Sequence, residues 1–314
     1  METRTLGRDG PRLSVVGLGC NMFGPKLDLE ATRAVIDAAI DAGVTHFDTA
    51  ESYGGGSSET FIGSSLGARR DGVAIATKFQ PRPKGEPYQA GALGKRIREG
   101  CEISLRRLQT DRIDLYYQHF PDPDASIDET LQALTDLVTA GKVLHIASSN
   151  FSDQSVRDAA RLAAASGYSP FCGVQIEWNI LNRQVEESVV PAACEVGVGI
   201  IPYFPLASGL LTGKYRRGAP LPTGSRLESM DYFKTVLTDE NFDRVERLIA
   251  FAEERGHSII ELAVAWLAAQ PGVASVITGA TSASQIATNA RAAQWRLNDA
   301  DLAALSDIAP IEFA

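Results

Sequence analysis

Eight short runs of apolar and β-branched residues recur along the chain, and a stretch with helical periodicity follows each of them. The runs begin near Ser14, Val44, Val73, Ile113, Val143, Phe171, Val198 and Ala274. Strands that alternate with helices form parallel sheets, and eight such units close into a barrel. The sequence therefore predicts an α/β fold, a (β/α)8 TIM barrel that forms one domain over residues 1–314.

The joints between these units carry local signals that agree with this pattern. Glycine stands at three predicted helix exits, just before a strand, as a left-handed helix cap requires: Gly43, Gly141 and Gly197. Ser126 and Glu129 have the spacing of a capping box and precede an amphipathic run, so the fourth helix of the barrel is expected to start there.

Two segments lie outside the eight units. Residues 5–13 have the pattern of a β-hairpin centred on Asp9-Gly10, which is expected to close the bottom of the barrel. Residues 205 to about 238 form a long stretch rich in proline and glycine between the seventh strand and its helix. Because this stretch would lie over the active face of the barrel, we expect it to be functional.

Composition excludes several classes of partner. The chain has 30 Lys and Arg against 39 Asp and Glu, a net charge of −9, so nucleic acid is not an expected partner. The first ten residues are too charged for a signal peptide, and no apolar run approaches the roughly 18 residues of a membrane span. The four cysteines, Cys20, Cys101, Cys172 and Cys194, lack disulfide or zinc-site spacing, which predicts reduced thiols and a cytoplasmic location.

The residues at the predicted strand ends are unusually polar. They are Asn21, Asp48, Lys78, His119, Ser149, Asn150, Gln175, Tyr203 and the segment Gly279-Ala280-Thr281. Active sites of such barrels lie at the carboxyl ends of the strands, where these side chains would meet. Any one of them alone is more simply explained as an ordinary polar residue where a strand ends at the protein surface. The set as a whole predicts an active site.

Three of these polar residues, Asp48, Lys78 and His119, suggest proton transfer together with Tyr53, which lies five residues after Asp48. A lysine ammonium about 4 Å from a phenol is worth roughly 4 kcal/mol at an effective dielectric near 20, which would lower the phenol's pKa by about three. Lys78 would act on Tyr53 in this way, and Asp48 would keep Lys78 charged and oriented. His119 could donate a hydrogen bond to a substrate oxygen and so polarise a carbonyl without a metal.

The segments that carry these residues resemble the aldo-keto reductase family. They are Phe47-Asp48-Thr49-Ala50-Glu51-Ser52-Tyr53-Gly54, Thr77-Lys78 and Asp114-Leu115-Tyr116-Tyr117-Gln118-His119. Similar segments follow at residues 147–151, 174–179, 202–206 and 277–280, so the resemblance covers nearly the whole chain. It implies an enzyme that uses NADPH or NADH to reduce a small aldehyde or ketone to an alcohol, or performs the reverse reaction. Tyr53 would be the general acid, Lys78 and Asp48 would tune it, and His119 would orient the carbonyl.

The resemblance also implies a set of cofactor contacts. Ser149, Asn150 and Gln175 would hydrogen-bond the nicotinamide carboxamide, and Tyr203 would stack on its ring, roles that suit an amide and an aromatic face. Residues 205–214 look like the segment that covers the pyrophosphate. The full set of expected contacts is Cys20, Asn21, Met22, Asp48, Ser149, Asn150, Gln175, Tyr203, Phe204, Pro205, Leu206, Ser208, Gly209, Leu210, Lys214, Gly279, Thr281, Gln285 and Asn289.

One departure from the family pattern affects the choice of cofactor. Many relatives place Arg or Lys near the last strand–helix junction, where it binds the 2′-phosphate of NADPH, but residues 279–285 contain no cation. Thr281, Ser282, Gln285 and Asn289 can still offer neutral hydrogen bonds, which are about half as strong as charge-assisted ones. The sequence therefore leaves NADPH and NADH both open.

Three other interpretations compete with a carbonyl reductase. Gly17-Leu18-Gly19 and Gly54-Gly55-Gly56 lack the full G-x-G-x-x-G context of a Rossmann fold. A metal-dependent hydrolase could use His46, Asp48, His119 and His145, but His46 and His145 are expected below the top face, and no metal site is predicted. The third is a regulatory subunit that binds the cofactor without turnover, since the family includes such channel-associated proteins.

The substrate pocket is less defined by sequence than the rest of the site. Phe23, Phe120 and Tyr232 fall on predicted top-face loops and are candidates to contact substrate, although large apolar residues usually pack in the core. The identity of the substrate, the reaction direction and the oligomeric state carry no signal in the sequence.

Overall fold

A computed structural model describes residues 1–82, 86–229 and 231–311, without the side chains of residues 226, 229 and 232. Its strands are β1 (Thr3–Thr5), β2 (Arg12–Ser14), β3 (Val16–Gly19), β4 (His46–Asp48), β5 (Ala74–Phe79), β6 (Ile113–Gln118), β7 (Val143–Ser149), β8 (Phe171–Glu177), β9 (Gly199–Tyr203) and β10 (Val276–Gly279). Strands β3 to β10 start within about two residues of the eight predicted positions, an agreement that follows from their apolar, β-branched composition.

Strands β3 to β10 form one parallel sheet in the described part of the chain, with the order β10-β3-β4-β5-β6-β7-β8-β9. The two edges of this sheet meet through a parallel bridge between Ile200 and Val273. There the amide of Ala274 donates to the carbonyl of Ile200 at 3.0 Å. The predicted (β/α)8 barrel is therefore confirmed.

The helices lie between the strands and cover the barrel. They are α1 (Leu29–Asp41), α2 (Ser57–Leu66), α3 (Ala92–Leu108), α4 (Ile127–Thr139), α5 (Asp153–Ser166), α6 (Val189–Val196), α7 (Arg226–Ser229), α8 (Asp239–Glu253), α9 (Ile259–Ala268), α10 (Ala283–Ala292) and α11 (Asp299–Ile308). Helix α4 begins where it was predicted, and the Ser126 hydroxyl accepts a hydrogen bond from the Glu129 amide at 3.3 Å. The Glu129 carboxylate bonds instead to the amide of Gly94 and the hydroxyl of Tyr88.

The three glycines predicted as left-handed caps have φ angles of 78°, 69° and 75° at Gly43, Gly141 and Gly197. Each one lets the chain leave a helix and enter the next strand without the steric cost that a side chain would bring.

The predicted N-terminal hairpin is present, but its turn differs from the prediction. Strands β1 and β2 pair antiparallel and are joined by a loop over residues 6–11, closed by the Leu6 amide on the Pro11 carbonyl at 3.0 Å. The left-handed residue of this loop is Gly7, with φ of 61°, so Asp9-Gly10 is not the centre of a tight two-residue turn.

The hairpin fills the amino-terminal end of the barrel, as predicted. Leu6 and Leu13 are fully buried and pack in one cluster with inward-facing strand residues such as Leu115 and Ile201. The side chain of Leu6 lies so close to Gly173 that a Cβ there would come within 2.7 Å of it. The amino-terminal end of the interior is thus filled by apolar side chains of the hairpin and strands, and the pocket opens at the opposite, carboxyl-terminal end.

Period-two alternation along the strands places the site above this apolar plug. Ala76 belongs to the interior cluster, and Lys78, two residues later on β5, faces the same way one layer higher. A second apolar layer, between the strands and helices, includes the edge-to-face pair Trp178 and Trp266 at 5.9 Å. Among the described residues, no helix combines the length and apolar composition that crossing a membrane requires.

Candidate active site

The four residues predicted for proton transfer meet at the carboxyl ends of neighbouring strands. Asp48 is the last residue of β4, Lys78 lies one residue before the end of β5, and His119 directly follows β6. Tyr53 begins a 3-10 turn, Tyr53–Gly56, in the loop after β4. These strands are consecutive neighbours in the sheet, so their polar ends share one pocket.

A buried ion pair lies at the centre of the pocket. The Lys78 ammonium donates to Asp48 Oδ1 at 2.6 Å and to the Thr49 carbonyl at 2.8 Å, and its side chain is fully buried. The other carboxylate oxygen of Asp48 accepts from Gln175 Nε2 at 2.7 Å. Burial lowers the pKa of Lys78, but the neighbouring Asp48 and Tyr53 raise it more, so the net pKa is above its ordinary value. Lys78 is therefore held in its charged form.

Tyr53 lies beside this ammonium but is not made acidic by it. Lys78 Nζ is 5.2 Å from the centre of the Tyr53 ring. Burial is the largest influence on the pKa of the phenol and raises it, Lys78 lowers it, and Asp48 raises it again, with a net increase. The prediction that Lys78 brings this pKa down is wrong for this structure, because it counted the charge of Lys78 without the burial and without Asp48. Tyr53 carries its proton at neutral pH.

His119 is also neutral in the pocket. Burial, and secondly the charge of Lys78, lower its pKa to about 3. Its ring meets the Tyr53 ring edge-on at 5.9 Å and stacks on Phe120 at 4.6 Å with an interplanar angle of 14°. Its Nδ1 lies 2.9 Å from Nε2 of Gln80. A neutral imidazole with one nitrogen held in this way has the other nitrogen available toward the pocket.

The residues predicted to hold a nicotinamide lie together on the neighbouring strand ends. Ser149 and Gln175 are buried and paired in register across β7 and β8. Asn150 adopts a left-handed φ of 61°, and its Nδ2 donates to the His119 carbonyl at 3.0 Å and to Ser149 Oγ at 3.1 Å. The Tyr203 hydroxyl donates to Asn150 Oδ1 at 2.8 Å. Hydrogen bonds thus connect Ser149, Asn150 and Tyr203 to the backbone of His119.

Three of the predicted contact residues are fully buried. Cys20, Phe23 and Leu210 have no exposed surface and pack in the main core. The Cys20 thiol donates to the Leu18 carbonyl at 3.4 Å, and burial raises its pKa well above the usual range. Their side chains therefore offer no surface to a cofactor or substrate, because tight loops after β3 and β9 turn them inward. Phe23 is accordingly a packing residue here.

The neighbouring predictions remain compatible with a ligand site. Asn21 and Met22 are partly exposed on the loop after β3, and Phe120 is 46% exposed. Phe120 is thus the aromatic residue whose ring both touches His119 and faces solvent. The side chain of Tyr232 lies outside the described part of the chain.

The loop after β9 has an unusual backbone. Three consecutive residues, Ala207, Ser208 and Gly209, have φ angles of 45°, 57° and 103°. Consecutive left-handed residues are costly outside glycine, and successive amides in such turns form concave anion-binding nests. Pro205 is buried and Leu206 is half-buried beside this turn. The exposed Lys214 follows it, with its ammonium 5.1 Å from the centre of the Tyr215 ring.

The last strand–helix junction uses its polar groups internally. The amide and hydroxyl of Thr281 donate to Gln285 Oε1 at 2.7 and 3.0 Å, and Asn289 Nδ2 donates to the Gly279 carbonyl at 3.3 Å. Ser282 caps α10 by accepting from the Gln285 amide. Gly279 is exposed, and a Cβ there would meet no atom within 4 Å, so the junction opens to solvent.

The two histidines considered as metal ligands lie away from this cluster. His46 is buried inside the barrel, its Nδ1 is 2.9 Å from Ser275 Oγ, and burial lowers its pKa to about 4. His145 lies near the start of β7, and its pKa is also lowered by burial. Within the residues described, no group of three His, Cys, Asp or Glu side chains could hold a metal ion.

Sequence reasoning missed Gln80 and Glu51. Gln80 contacts His119, and its amide donates to Glu51 Oε1 at 2.7 Å, while Glu51 forms an ion pair with Arg96 of α3. A weak signal was available, since Gln80 follows Lys78 by two residues at the end of β5. The position alone, however, does not distinguish Gln80 from any other polar residue that follows a strand.

Comparisons with known proteins agree with this geometry. The sequence model of the Aldo/keto reductase family matches residues 15–310. A "Probable voltage-gated potassium channel subunit beta" from Oryza sativa subsp. japonica is 36% identical over 300 residues, which cover 93% of this chain and 91% of that protein. "Probable aldo-keto reductase 1" from Glycine max is 34% identical, with coverages of 98% and 88%.

A relative with a named reaction shows similar coverage. "L-glyceraldehyde 3-phosphate reductase" from Escherichia coli (strain K12) is 33% identical over 305 residues, which cover 93% of this chain and 87% of that protein. As a family, aldo/keto reductases carry out NADPH-dependent oxidoreduction of carbonyl compounds. A family match over nearly the whole length, with relatives of this identity, decides the classification: the chain belongs to the aldo/keto reductase family.

Proposed function

We propose that this protein is an NAD(P)H-dependent oxidoreductase that reduces an aldehyde or ketone to an alcohol, or performs the reverse. The observation that carries the proposal is the position of Lys78, whose ammonium bonds to Asp48 at 2.6 Å and lies 5.2 Å from the Tyr53 ring. The His119 ring also lies near Tyr53, edge-on at 5.9 Å. A phenol with an ammonium and an imidazole beside it is arranged to exchange a proton with a carbonyl oxygen.

The protonation states support reduction. Because the pKa of Tyr53 is raised, the phenol has a proton to give to the carbonyl oxygen as that oxygen gains negative charge. Lys78 stays charged and stabilises the phenolate that remains. Neutral His119 donates a hydrogen bond to the same oxygen. A reduced nicotinamide, when bound, supplies the hydride that the carbonyl carbon accepts.

The donor set around the pocket fits a nicotinamide. Both hydrogens of Asn150 Nδ2 are engaged within the protein, so Asn150 would accept from a carboxamide NH2 group through its Oδ1. Ser149 and Gln175 would complete this recognition, and Tyr203 would cover the ring. The left-handed turn at residues 207–209 would receive the pyrophosphate through backbone amides.

NADPH and NADH are both included in the proposal. The junction around Thr281 and Gln285 offers neutral groups, which already bond to each other, so a 2′-phosphate would have to displace the bond between them. Titration of the protein with each nucleotide, followed by intrinsic fluorescence, measures the preference. Binding of neither nucleotide would refute the proposed function.

Turnover is tested on a panel of aldehydes, ketones, sugars and their alcohols, monitored by nicotinamide absorbance. The name of the Escherichia coli relative adds a phosphorylated aldehyde to that panel. Tyr53→Phe should still bind nucleotide but lose at least about 100-fold in kcat, because it removes the proton donor. Tyr168→Phe, near the opposite end of the barrel, is the matched control and should keep its activity.

A regulatory subunit that binds cofactor without significant turnover is the second candidate. It is favoured by the relatives named as potassium channel beta subunits. Binding alone would need the groups around Asn150 and Tyr203 but not the pair of Tyr53 and His119. Nucleotide binding without turnover of any carbonyl or alcohol by the wild-type protein would support this alternative.

A further inference from the structure

The His119 ring is fixed in orientation by contacts on several sides. Its backbone amide donates to the Phe79 carbonyl at 3.1 Å, and its carbonyl accepts from Asn150 Nδ2 at 3.0 Å. Phe120 stacks on one ring face and Tyr53 lies edge-on. These contacts determine where the ring lies, but none of them determines which ring nitrogen carries the hydrogen.

Gln80 supplies the contact that can make this choice. Its Nε2 lies 2.9 Å from His119 Nδ1 and 3.4 Å from Ser52 Oγ. An amide NH2 group can only donate, so the Nδ1 that faces it must accept, and the hydrogen of a neutral imidazole then resides on Nε2. The ring is neutral because burial and Lys78 lower its pKa to about 3. Within the part of the chain that the structure describes, the ionisable side chains found to act on or contact the ring are Lys78 and Tyr53.

The backbone of Gln80 is held by a hydrogen bond to the buried carboxylate of an ion pair. Its backbone amide donates to Glu51 Oε1 at 2.7 Å, and the same carboxylate oxygen pairs with Arg96 on α3. Glu51 is buried, so this pair is shielded from water on its barrel side. A continuous chain of polar contacts thus runs from Arg96 through Glu51 and Gln80 to His119. These contacts hold the backbone that carries the Gln80 side chain, and the side-chain amide itself is placed by its contacts with His119 and, at 3.4 Å, Ser52.

We propose that Gln80 is a positioning residue that holds neutral His119 in the tautomer with its hydrogen on Nε2, where it donates toward the substrate oxygen. The consequence for turnover rests on the proposed function. The tautomer itself does not, and it is measured without substrate.

The direct test is ¹⁵N NMR of the histidine ring nitrogens near neutral pH, because protonated and bare nitrogens differ strongly in chemical shift. A His119→Gln spectrum assigns the signals among the four histidines of the chain. Wild type should show a protonated Nε2 and a bare Nδ1. Gln80→Met keeps the length but removes the donor, and it should give a mixture of tautomers. Gln80→Glu offers an acceptor to Nδ1 and should move the hydrogen there.

Kinetics form the second readout. Gln80→Met should lower kcat about threefold to tenfold with little change in KM, and Gln80→Glu should lower kcat further, by about 100-fold. The Gln80→Glu carboxylate should also raise the pKa of His119, so a new ionisation should enter the pH profile of kcat. Gln270→Met is the matched control, since its Nε2 bonds to the Trp266 carbonyl near the amino-terminal end of the barrel.

The role of Gln80 and the proposed oxidoreductase function can be refuted independently of each other. A wild-type Nδ1 that carries the hydrogen, or an unchanged tautomer in both Gln80 variants, would overturn the role of Gln80 even if the enzyme is active. Absence of turnover in the wild type would refute the proposed function and leave the NMR result to decide the tautomer. Circular dichroism of both variants checks that the fold is retained, and Gln80→Glu keeps the test available if Gln80→Met does not fold.

Discussion

Replacement of Lys78 by methionine should destabilise the protein strongly, because it leaves a buried carboxylate without its cation. Lys78 is fully buried, and Asp48, which is 3% exposed, would keep only the Gln175 hydrogen bond at 2.7 Å among its side-chain contacts described here. Removal of one member of a buried ion pair costs about 3–5 kcal/mol. The lost bond to the Thr49 carbonyl, 2.8 Å long, is included in that figure.

The double variant Asp48→Asn/Lys78→Met separates charge from packing. It removes both charges together and leaves an amide that can still bond to Gln175, so we expect a total cost of about 1–3 kcal/mol, less than the loss from Lys78→Met alone. Urea unfolding of the apoprotein, followed by circular dichroism and tryptophan fluorescence, measures these free energies. The control is Lys95→Met, which removes an exposed lysine from a 3.7 Å pair with Glu99 and should cost under about 0.5 kcal/mol.

The reasoning is refuted by either of two results. One is a loss below about 1 kcal/mol for Lys78→Met, which would mean that Asp48 is solvated or protonated at little cost. The other is a double variant whose loss equals the sum of the losses of Lys78→Met and of the single variant Asp48→Asn, which is measured in the same way, since independent sites add and a buried pair does not.

Three further outcomes follow from the loop and ring contacts. The pKa of His119 is about 3 in the folded protein against 6.5 unfolded, so its contribution to the free energy of unfolding is full above pH 6.5 and is lost as pH falls. Between pH 7.5 and 5.5, His119→Gln should therefore lose about 1.3 kcal/mol less stability than the wild type, measured by urea unfolding. Phe120→Ala should lower kcat/KM about fivefold with little change in stability, because it removes the ring stacked on His119. Gly56→Ala should cost about 2–4 kcal/mol, because φ of 97° strains alanine and its Cβ, 2.3 Å from the Arg107 guanidinium, would push that group off Glu59 and the Glu51 carbonyl. Gly55→Ala, with φ of 63° and open space, should cost only about 1–2 kcal/mol in the same assay.

The fold could be predicted because its signals are local. Each barrel strand is a short apolar run, and glycines such as Gly141 and Gly197 mark helix exits through a backbone requirement that few other residues meet. The hairpin was found by the same kind of signal, but its turn was not. Asp9-Gly10 and Gly7 lie in the same short loop and either could form its turn by sequence, and in the structure Gly7 takes the left-handed position next to Leu6, which packs into the barrel.

Which residues form the candidate site could be predicted better than how their side chains contact one another. Parallel strands bring their carboxyl ends together, so Asp48, Lys78 and His119 had to be neighbours once the barrel was assumed. Phe23 and Leu210 were placed on top-face loops, yet both turn into the core, because the direction of a loop side chain depends on tertiary packing. Gln80 was missed for the converse reason, since its role comes from a neighbour 39 residues away in sequence.

The sign of the Tyr53 pKa shift shows why electrostatics could not be read from the residue types alone. The prediction weighed only the effect of Lys78 on the phenol, and that effect was correct in direction, but Asp48 acts on the same phenol and raises its pKa. Burial also opposes the effect of Lys78, and burial is a property of the whole pocket. The same burial keeps His119 neutral, and the pair with Asp48 keeps Lys78 charged against it. A single water-poor pocket thus gives a protonated phenol, a neutral imidazole and a fixed cation together, which is the combination that donation of a proton to a carbonyl oxygen needs.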